Sequence, residues 1–272
     1  MSFTLLHYSD PHFGASDSRI ASAAVRQALT LDPDATVVSG DFSMRGRRRE
    51  FLAARIWLEE LPGSPIVFPG NHDVPAFNNL WERFTAPFQN YRKHLSEEEE
   101  PQAELGTLGK IVTVNSCTPF GWHRDWSRGF LSPMQGTHIA NSFEGLPPEK
   151  LRILGMHHPL LASGEKKRAL VSPLPLISNM LQDNQVDLVL AGHFHQSKVG
   201  VFPMDNAKRP LVVSQAPSIC STRLKGEPNG FHFLHLSPDE ITIEAWQWDG
   251  HHFRETSSTR FLKKDEGWQS ET

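Results

Sequence analysis

Cysteine is scarce in this chain: of 272 residues, 2 are cysteines. Cys117 and Cys220 stand in unrelated contexts, with no CxxC pair and no spacing that suggests a disulfide framework. A reducing cytosol is the simplest setting. An excess of positive charge is also missing, since 27 Lys and Arg face 31 Asp and Glu for a formal charge of −4. That balance gives no overall basic field to hold a nucleic-acid backbone, so duplex nucleic acid is not expected as a partner. No window approaches 18 apolar residues, and the chain opens without a basic segment leading into an apolar stretch. Neither a membrane span nor export is indicated, and a cytoplasmic protein is expected. Internal repeats and low-complexity tracts are lacking as well. What is there is 38% hydrophobic residues in a length that open α/β folds often form as one domain. Residues 1–272 are therefore read as a single domain with a large core.

Short apolar runs alternate with helical patterns, which points to an α/β layered architecture. Phe3 to Ser9 reads as a strand. Ile20, Ala23, Ala24, Ala28 and Leu31 recur at helical spacing over 18–31, and Asp32-Pro33-Asp34 breaks the pattern before a strand at Ala35 to Ser39. A second helix from Arg47 to Glu60 places Phe51, Ala54, Ile56 and Leu58 around its apolar side, ahead of a strand at Pro65 to Phe68. Residues 77–95 read as an interrupted helical stretch, and the acidic run Glu97 to Glu100 as a solvated turn. Lys110 to Asn115 is a further strand. Ser132-Pro133-Met134-Gln135 supplies a capping residue, a proline at the first helical position and a capping-box glutamine, so a helix is expected to about Phe143. Leu151 to Met156 and Asp187 to Ala191 are strand-like. The last third alternates as strands at 211–214, 230–236, 241–248 and 253–261, joined by Ser-Pro-Asp and Asp-Gly turns. The C-terminal strands over 211–262 are expected to complete a second sheet and close a sandwich. Trp246 and Trp248 on those strands would serve core or an oligomer interface, with core favoured; a homo-oligomer stays open.

Five blocks carry the chemistry: Asp10-Pro11-His12, Gly40-Asp41, Gly70-Asn71-His72-Asp73, His157-His158 and Gly192-His193-Phe194-His195. Each follows an expected strand, and ligands in open α/β sheets gather beyond the carboxyl ends of strands. Any one block alone is weak, given 14 histidines in the chain; five in series on one rim are specific. Asp10 and His12, two apart in an extended segment, face the same side. Asp41 has two carboxylate oxygens to share and is assigned as a bridge. One ion would then have Asp10, His12, Asp41 and His195, and a second Asp41, Asn71, His157 and His193. Such mixed oxygen and nitrogen shells suit Mn2+, Fe2+ or Fe3+, or Zn2+, with open positions for water and substrate. Neighbours in an extended segment point oppositely, so only one of His157 and His158 can be a ligand.

The series DxH, GD, GNHD, H and GHxH resembles that of the calcineurin-like metallophosphoesterases over residues 10–195. Met156-His157-His158-Pro159 and Gly129-Phe130-Leu131-Ser132-Pro133-Met134-Gln135 are most similar to the bacterial class III cyclic-nucleotide phosphodiesterase and glycerophosphodiesterase group. The resemblance implies a four-layer α/β/β/α sandwich with two central mixed β-sheets, the dinuclear centre assigned above with His157 rather than His158 as ligand, and His72 as a catalytic residue outside the metal shells. Asp73 would orient or charge-support His72. Two departures stand out. Met44 and Asp73 occupy positions where phosphoprotein phosphatases carry an aspartate and a glutamate, which disfavours a protein phosphatase.

The expected activity is hydrolysis of a small phosphodiester, 3′,5′-cyclic nucleotides leading, by a hydroxide that two divalent cations hold and activate, with His72 protonating the leaving oxygen. Arg45, His158, Arg223, Trp122 and His123 are candidates for substrate binding. Trp122 and His123 belong to an aromatic and basic loop at 119–128, which with the following helix makes 119–146 a candidate substrate-facing region. Arg45 resembles the arginine that contacts phosphate in the phosphoprotein phosphatases and is a secondary candidate, with a surface arginine before a basic helix start the favoured reading. Rival readings are a phosphatase or pyrophosphatase acting on a nucleotide-linked or lipid-linked phosphate, then a nuclease. From another class comes a non-catalytic metal-binding interaction module, which should have lost a ligand or His72.

Overall fold

The computed structural model describes residues 3–76, 79–118, 127–162, 170–202 and 209–271. Its first three strands, β1 (Phe3–Tyr8), β2 (Ala35–Val38) and β3 (Ile66–Val67), run parallel. They are linked by the helices α1 (Ser18–Leu31) and α2 (Arg48–Glu59). In α1 the residues that alternate at helical spacing, Ile20, Ala24, Val25 and Ala28, are buried against the sheet, and the Asp17 side chain caps the first turn. In α2 the buried ridge is Phe51, Ala54 and Trp57. Ile56, expected inside, is 61% exposed because it falls on the opposite face of the turn.

The interrupted stretch after β3 resolves into two short helices, α3 (Leu80–Thr85) and α4 (Gln89–His94). Of the acidic run, Glu97 and Glu98 are solvated as expected. Glu99 instead bonds Arg92 and Asn115, and Glu100 bonds the Asn115 backbone and Gln135. The second sheet is built from the middle of the chain: β4 (Gln102–Glu104), β5 (Gly109–Thr113), β6 (Leu151–Gly155), β7 (Leu188–Ala191), β8 (Lys198–Phe202) and β9 (Leu211–Gln215), in the order β4-β5-β6-β7-β9-β8. Helices α5 (Pro133–Phe143) and α6 (Leu174–Asp183) cover its outer face. The N-terminus of α5 has the expected capping box, with Ser132 Oγ accepting from Gln135 N–H and Gln135 Oε1 accepting from Ser132 N–H.

Of the C-terminal strands expected in the second sheet, β9 joins it and the others correct the expected topology. β10 (Gly230–Leu236), β11 (Glu240–Trp248), β12 (Phe253–Lys264) and β13 (Gly267–Glu271) do not complete the second sheet but extend the first, in the order β13-β12-β11-β10-β1-β2-β3. Alternation reports which faces of a strand are buried, but not which partner strand it joins. β10 enters antiparallel beside β1, with His7 opposite His232 and Phe3 opposite Leu236. Trp246 and Trp248 pack at the edge of the α1/α2 core, Trp246 stacked on Phe231 and Trp248 against Phe253.

Three apolar layers result. Leu6, Tyr8, Phe51, Trp57 and Phe231 pack α1 and α2 on the outside of the seven-stranded sheet. Leu5, Val37, Leu190, Val212 and Leu234 fill the space between the sheets. Val112, Leu154, Ile139 and Ile177 pack the second sheet on α5 and α6. This is the expected four-layer α/β/β/α sandwich of two mixed sheets. Among the described residues no helix is long and apolar enough to cross a membrane.

Candidate metal centre

The carboxyl ends of β1, β2, β3, β6 and β7 open on one rim, and the five blocks sit there. The loops after β1 and β2 prolong the sheet pairing, with His12 N–H bonded to Asp41 O and Phe13 N–H to Phe42 O. Among the described residues, seven non-glycine residues have a left-handed backbone, and five of them are Asp10, His12, Asp41, His193 and His195. Such strain persists where the surroundings over-determine it, and here it aims side chains inward. Two glycines are required by closeness. A Cβ on Gly70 would lie 2.2 Å from Asp41 Oδ1, and one on Gly192 would lie 1.9 Å from Ser9 Oγ.

One donor atom from each of Asp10, His12, Asp41 and His195 lies within 4.8 Å of the others, and the same holds for Asp41, His157 and His193. The spacings are informative: His12 Nε2 is 2.9 Å from His195 Nε2, 3.5 Å from Asp41 Oδ2 and 3.7 Å from Asp10 Oδ1. Ligands about 2.1 Å from one ion sit roughly 3 to 3.5 Å apart, so these are the edges of a coordination polyhedron. Asp41 Oδ2 is also 3.5 Å from His157 Nε2, so a single oxygen faces both groups, while Oδ1 accepts from the His72 backbone N–H. Asn71 Oδ1 lies 3.2 Å from His157 Nε2 and 2.9 Å from His193 Nδ1 and so joins the second group.

The donor set fits a pair of divalent cations on further grounds. Asp10 Oδ1 is buried and takes part in no hydrogen bond. Leaving a buried carboxylate oxygen without a partner is costly unless a cation faces it. The imidazoles are held in the tautomer a cation needs. His157 Nδ1–H donates to Ser39 O at 2.8 Å and His195 Nδ1–H to Arg223 O at 2.9 Å, so each aims its Nε2 at the cluster. Burial pushes the His12 and His193 imidazoles down to about 3, which leaves them neutral and available as donors. Burial opposes charge on all four of Asp10, Asp41, His157 and His195, yet Asp41 raises His157 to about 9 and Asp10 raises His195, and these protonated rings hold both carboxyls well below the usual range; a cation would take the place of their Nε2 protons.

Of the remaining candidates, His72 lines a cavity of about 220 Å³ above the cluster, together with Asn71, Ser127, His193, Phe194, His195, Arg223 and Lys225. Its Nδ1 donates to Met44 O at 2.9 Å, and Arg223 Nη1 stands 3.3 Å from its Nε2. Arg223 is thus at the cavity, and Lys225 is a lining residue that the sequence reading missed. Asp73 is not where it was expected. Its carboxylate accepts from the backbone N–H groups of Phe42, Ser43 and Gly70 and makes no bond to the His72 ring. It clips the Gly40 and Gly70 loops together, and the Met44 carbonyl orients His72 instead. Arg45 is exposed and does not line the cavity. His158 is fully buried, Nδ1 bonded to Ser116 Oγ and Nε2 to the carbonyl of Ser127, so both its nitrogens have protein partners although its ring lies 4.7 Å from that of His193. Trp122 and His123 lie outside the described residues. Of the rest of 119–146, Ser127 reaches the cavity, while α5 packs into the outer core through Ile139 and Phe143.

With this geometry in hand, comparison with known proteins is decisive. The model of the calcineurin-like phosphoesterase family matches residues 3–197. The chain belongs to that family. It is a metal-dependent phosphoester hydrolase, and its His and Asp cluster is one that could bind metals. Among curated relatives, a probable cyclic nucleotide phosphodiesterase of Rhodococcus erythropolis is 25% identical over 237 residues, covering 80% of this chain and 71% of the relative. A probable cyclic nucleotide phosphodiesterase of a Synechococcus strain is 25% identical over 254 residues, covering 86% and 85%. Among solved structures, PhoD superposes with a TM-score of 0.74 at 12% identity, over 100% of this chain and 72% of that one. A purple acid phosphatase from yellow lupin seeds superposes with a TM-score of 0.67 at 11% identity, over 96% and 53%. At such identities the calcineurin-like phosphoesterase and these structures share a fold.

Proposed function

We propose that this calcineurin-like phosphoesterase is a dinuclear phosphodiesterase that hydrolyses a small phosphodiester, with a 3′,5′-cyclic nucleotide as the leading substrate. The observation that carries the reading is the pair of donor groups sharing Asp41 Oδ2, beneath a cavity that His72 lines. Asp10, His12, Asp41 and His195 would hold one cation and Asp41, Asn71, His157 and His193 the other. Such a pair supplies positive charge against the phosphoryl oxygens and acidifies water enough for attack at neutral pH. Names of relatives at 25% identity support the substrate class.

The chain's own residues supply the rest. Met44 O can only accept, so the His72 Nδ1 carries a hydrogen and Nε2 is the atom that takes up and gives a proton. Nε2 faces the cavity, placed to protonate a departing alkoxide. The Arg223 guanidinium beside it offers N–H donors to a phosphoryl oxygen. Arg223 and Lys225 together favour a runner-up, a phosphomonoester or diphosphate, which carries more negative charge than a diester.

Turnover separates these readings. Metal-stripped protein given back Mn2+ is expected to cleave bis(p-nitrophenyl) phosphate faster than p-nitrophenyl phosphate and to open 3′,5′-cyclic AMP. Preference for the monoester would move the assignment to the runner-up. Two bound Mn2+ with no turnover of any of the three would favour a diphosphate substrate or the non-catalytic metal-binding module.

A further inference from the structure

Beneath the rim, the apolar space between the sheets is interrupted by a line of buried polar side chains that the chemistry above does not use. Ser197 Oγ is 2.8 Å from His232 Nε2, and His232 Nδ1 is 2.9 Å from Ser214 Oγ. Ser214 Oγ is in turn 2.9 Å from His7 Nδ1, and His7 Nε2 is 3.0 Å from Ser39 Oγ. His7, His232, Ser214 and Ser39 are all fully buried. The line passes from the residue before β8 to β10, then to β9, on to β1 and to the residue after β2, so it crosses between the sheets three times.

Proton counting allows the line two directions, each the reverse of the other. In one, the Ser39 hydroxyl donates to Tyr8 O at 3.3 Å and accepts from His7 Nε2–H, His7 Nδ1 accepts from Ser214, Ser214 from His232 Nδ1–H, and His232 Nε2 from Ser197. In the other, the Ser39 hydroxyl donates to His7 Nε2 at 3.0 Å and every bond reverses. Every donor and acceptor is used once if both imidazoles are neutral. Burial lowers His232 to about 3 and His7 well below its usual value, in keeping with that pattern. At its inner end the line meets the proposed ligands. The Ser39 carbonyl accepts from His157 Nδ1–H, and Ser9 Oγ, 3.3 Å from that carbonyl, donates to Asp10 Oδ2 at 2.5 Å.

We propose that His7 and His232 are positioning residues that fix the two halves of the metal site against each other; this rests on the dinuclear reading above. The seven-stranded sheet carries Asp10, Asp41 and Asn71 at its rim, and the six-stranded sheet carries His157, His193 and His195. Apolar contacts between the sheets, such as those among Leu5, Leu190, Val212 and Leu234, are non-directional and tolerate sliding. Hydrogen bonds lose strength over a few tenths of an ångström and with modest changes of angle. A satisfied polar line across the interface therefore sets a register that packing alone leaves loose, and buried networks of this kind specify one arrangement.

The test is Mn2+ titration of the metal-stripped full chain, read by electron paramagnetic resonance, alongside steady-state kinetics on bis(p-nitrophenyl) phosphate. Wild type is expected to bind two Mn2+ as a spin-coupled pair. His7→Leu and His232→Leu keep apolar bulk but leave hydroxyls without partners. They are expected to weaken the second Mn2+ by on the order of 10-fold, alter the coupled signal and lower kcat by about 10-fold with KM held. His7→Gln, which keeps a donor and an acceptor, should recover part of each. If the leucine variants fail to fold, Ser197→Ala at the half-buried end of the line should show a smaller loss of the same sign. Folded variants with wild-type affinity and an unchanged signal would overturn this proposal alone. Wild type that binds fewer than two Mn2+ would overturn the dinuclear reading and this proposal with it.

Discussion

The rim of the seven-stranded sheet delivers Asp10, Asp41 and Asn71, all oxygen donors, with His12 and His72 beside them, whereas the rim of the six-stranded sheet delivers imidazoles alone, from His157, His193 and His195. The first rim brings two buried carboxylates, whose charge needs cations nearby to be tolerated. The second brings groups that are good ligands while neutral. The two rims are also held differently. Asp73 ties the loops of the first sheet to each other through three backbone N–H groups. Two imidazoles of the second are oriented by carbonyls from outside that sheet, at Ser39 and Arg223. The site thus depends on the fit between the sheets as much as on either one.

The largest effect expected from breaking that comparison is at Asp41, where both donor groups meet. Asp41→Asn keeps the size and the oxygen that accepts from His72 N–H but removes the shared charge. Several kcal/mol of transition-state stabilisation are at stake, so kcat/KM should fall on the order of 10³-fold, with metal lost from both positions. His193→Ala, on the other rim, should cost one metal and leave the other. Metal content by atomic emission distinguishes them. Equal loss from both variants would mean that Asp41 does not bridge.

His72→Ala tests a residue that belongs to the first rim but to neither donor group. Loss of a general acid costs about 10²-fold or more in kcat, while bound metal should stay at the wild-type level. Metal lost from this variant would make His72 a ligand.

Much of this contrast is legible in the sequence, for a physical reason. Asp10, Asp41, Asn71, His157 and His193 each follow a strand within a few residues, and a rigid parallel sheet converts that spacing into a shared rim. Helix α1 and the capping box of α5 are equally local, written in spacing and in Ser132 and Gln135. What escaped depends on tertiary partners. Asp73 follows His72 in sequence, yet the short 3-10 turn at Asn71–Asp73 sends its carboxylate back toward the Gly40 loop. β10, β11 and β12 lie where strands were expected and β13 was not expected, but nothing local tells β10 to pair with β1. Lys225 reaches the cavity through the fold of the loop after β9. The local signals for the buried polar line were His7 alternating with Leu5 on the inward face of β1 and His232 with Leu234 on that of β10, since a polar residue on an apolar face calls for a partner.

The smallest effect separates two adjacent histidines whose rings lie 5.1 Å apart but bond to different partners. His157→Ala should remove one metal, because its Nε2 faces Asp41 and Asn71. His158→Ala should keep both metals and lower stability instead. It removes the ring that joins Ser116 to the Ser127 carbonyl and leaves the Ser116 hydroxyl buried without that partner. The cost is about 2 kcal/mol, read as a lower midpoint in urea with an unchanged slope. Metal loss from His158→Ala at unchanged stability would reverse the assignment, for then the ring bonded to Ser116 and to the Ser127 carbonyl would be the one that holds the cluster together.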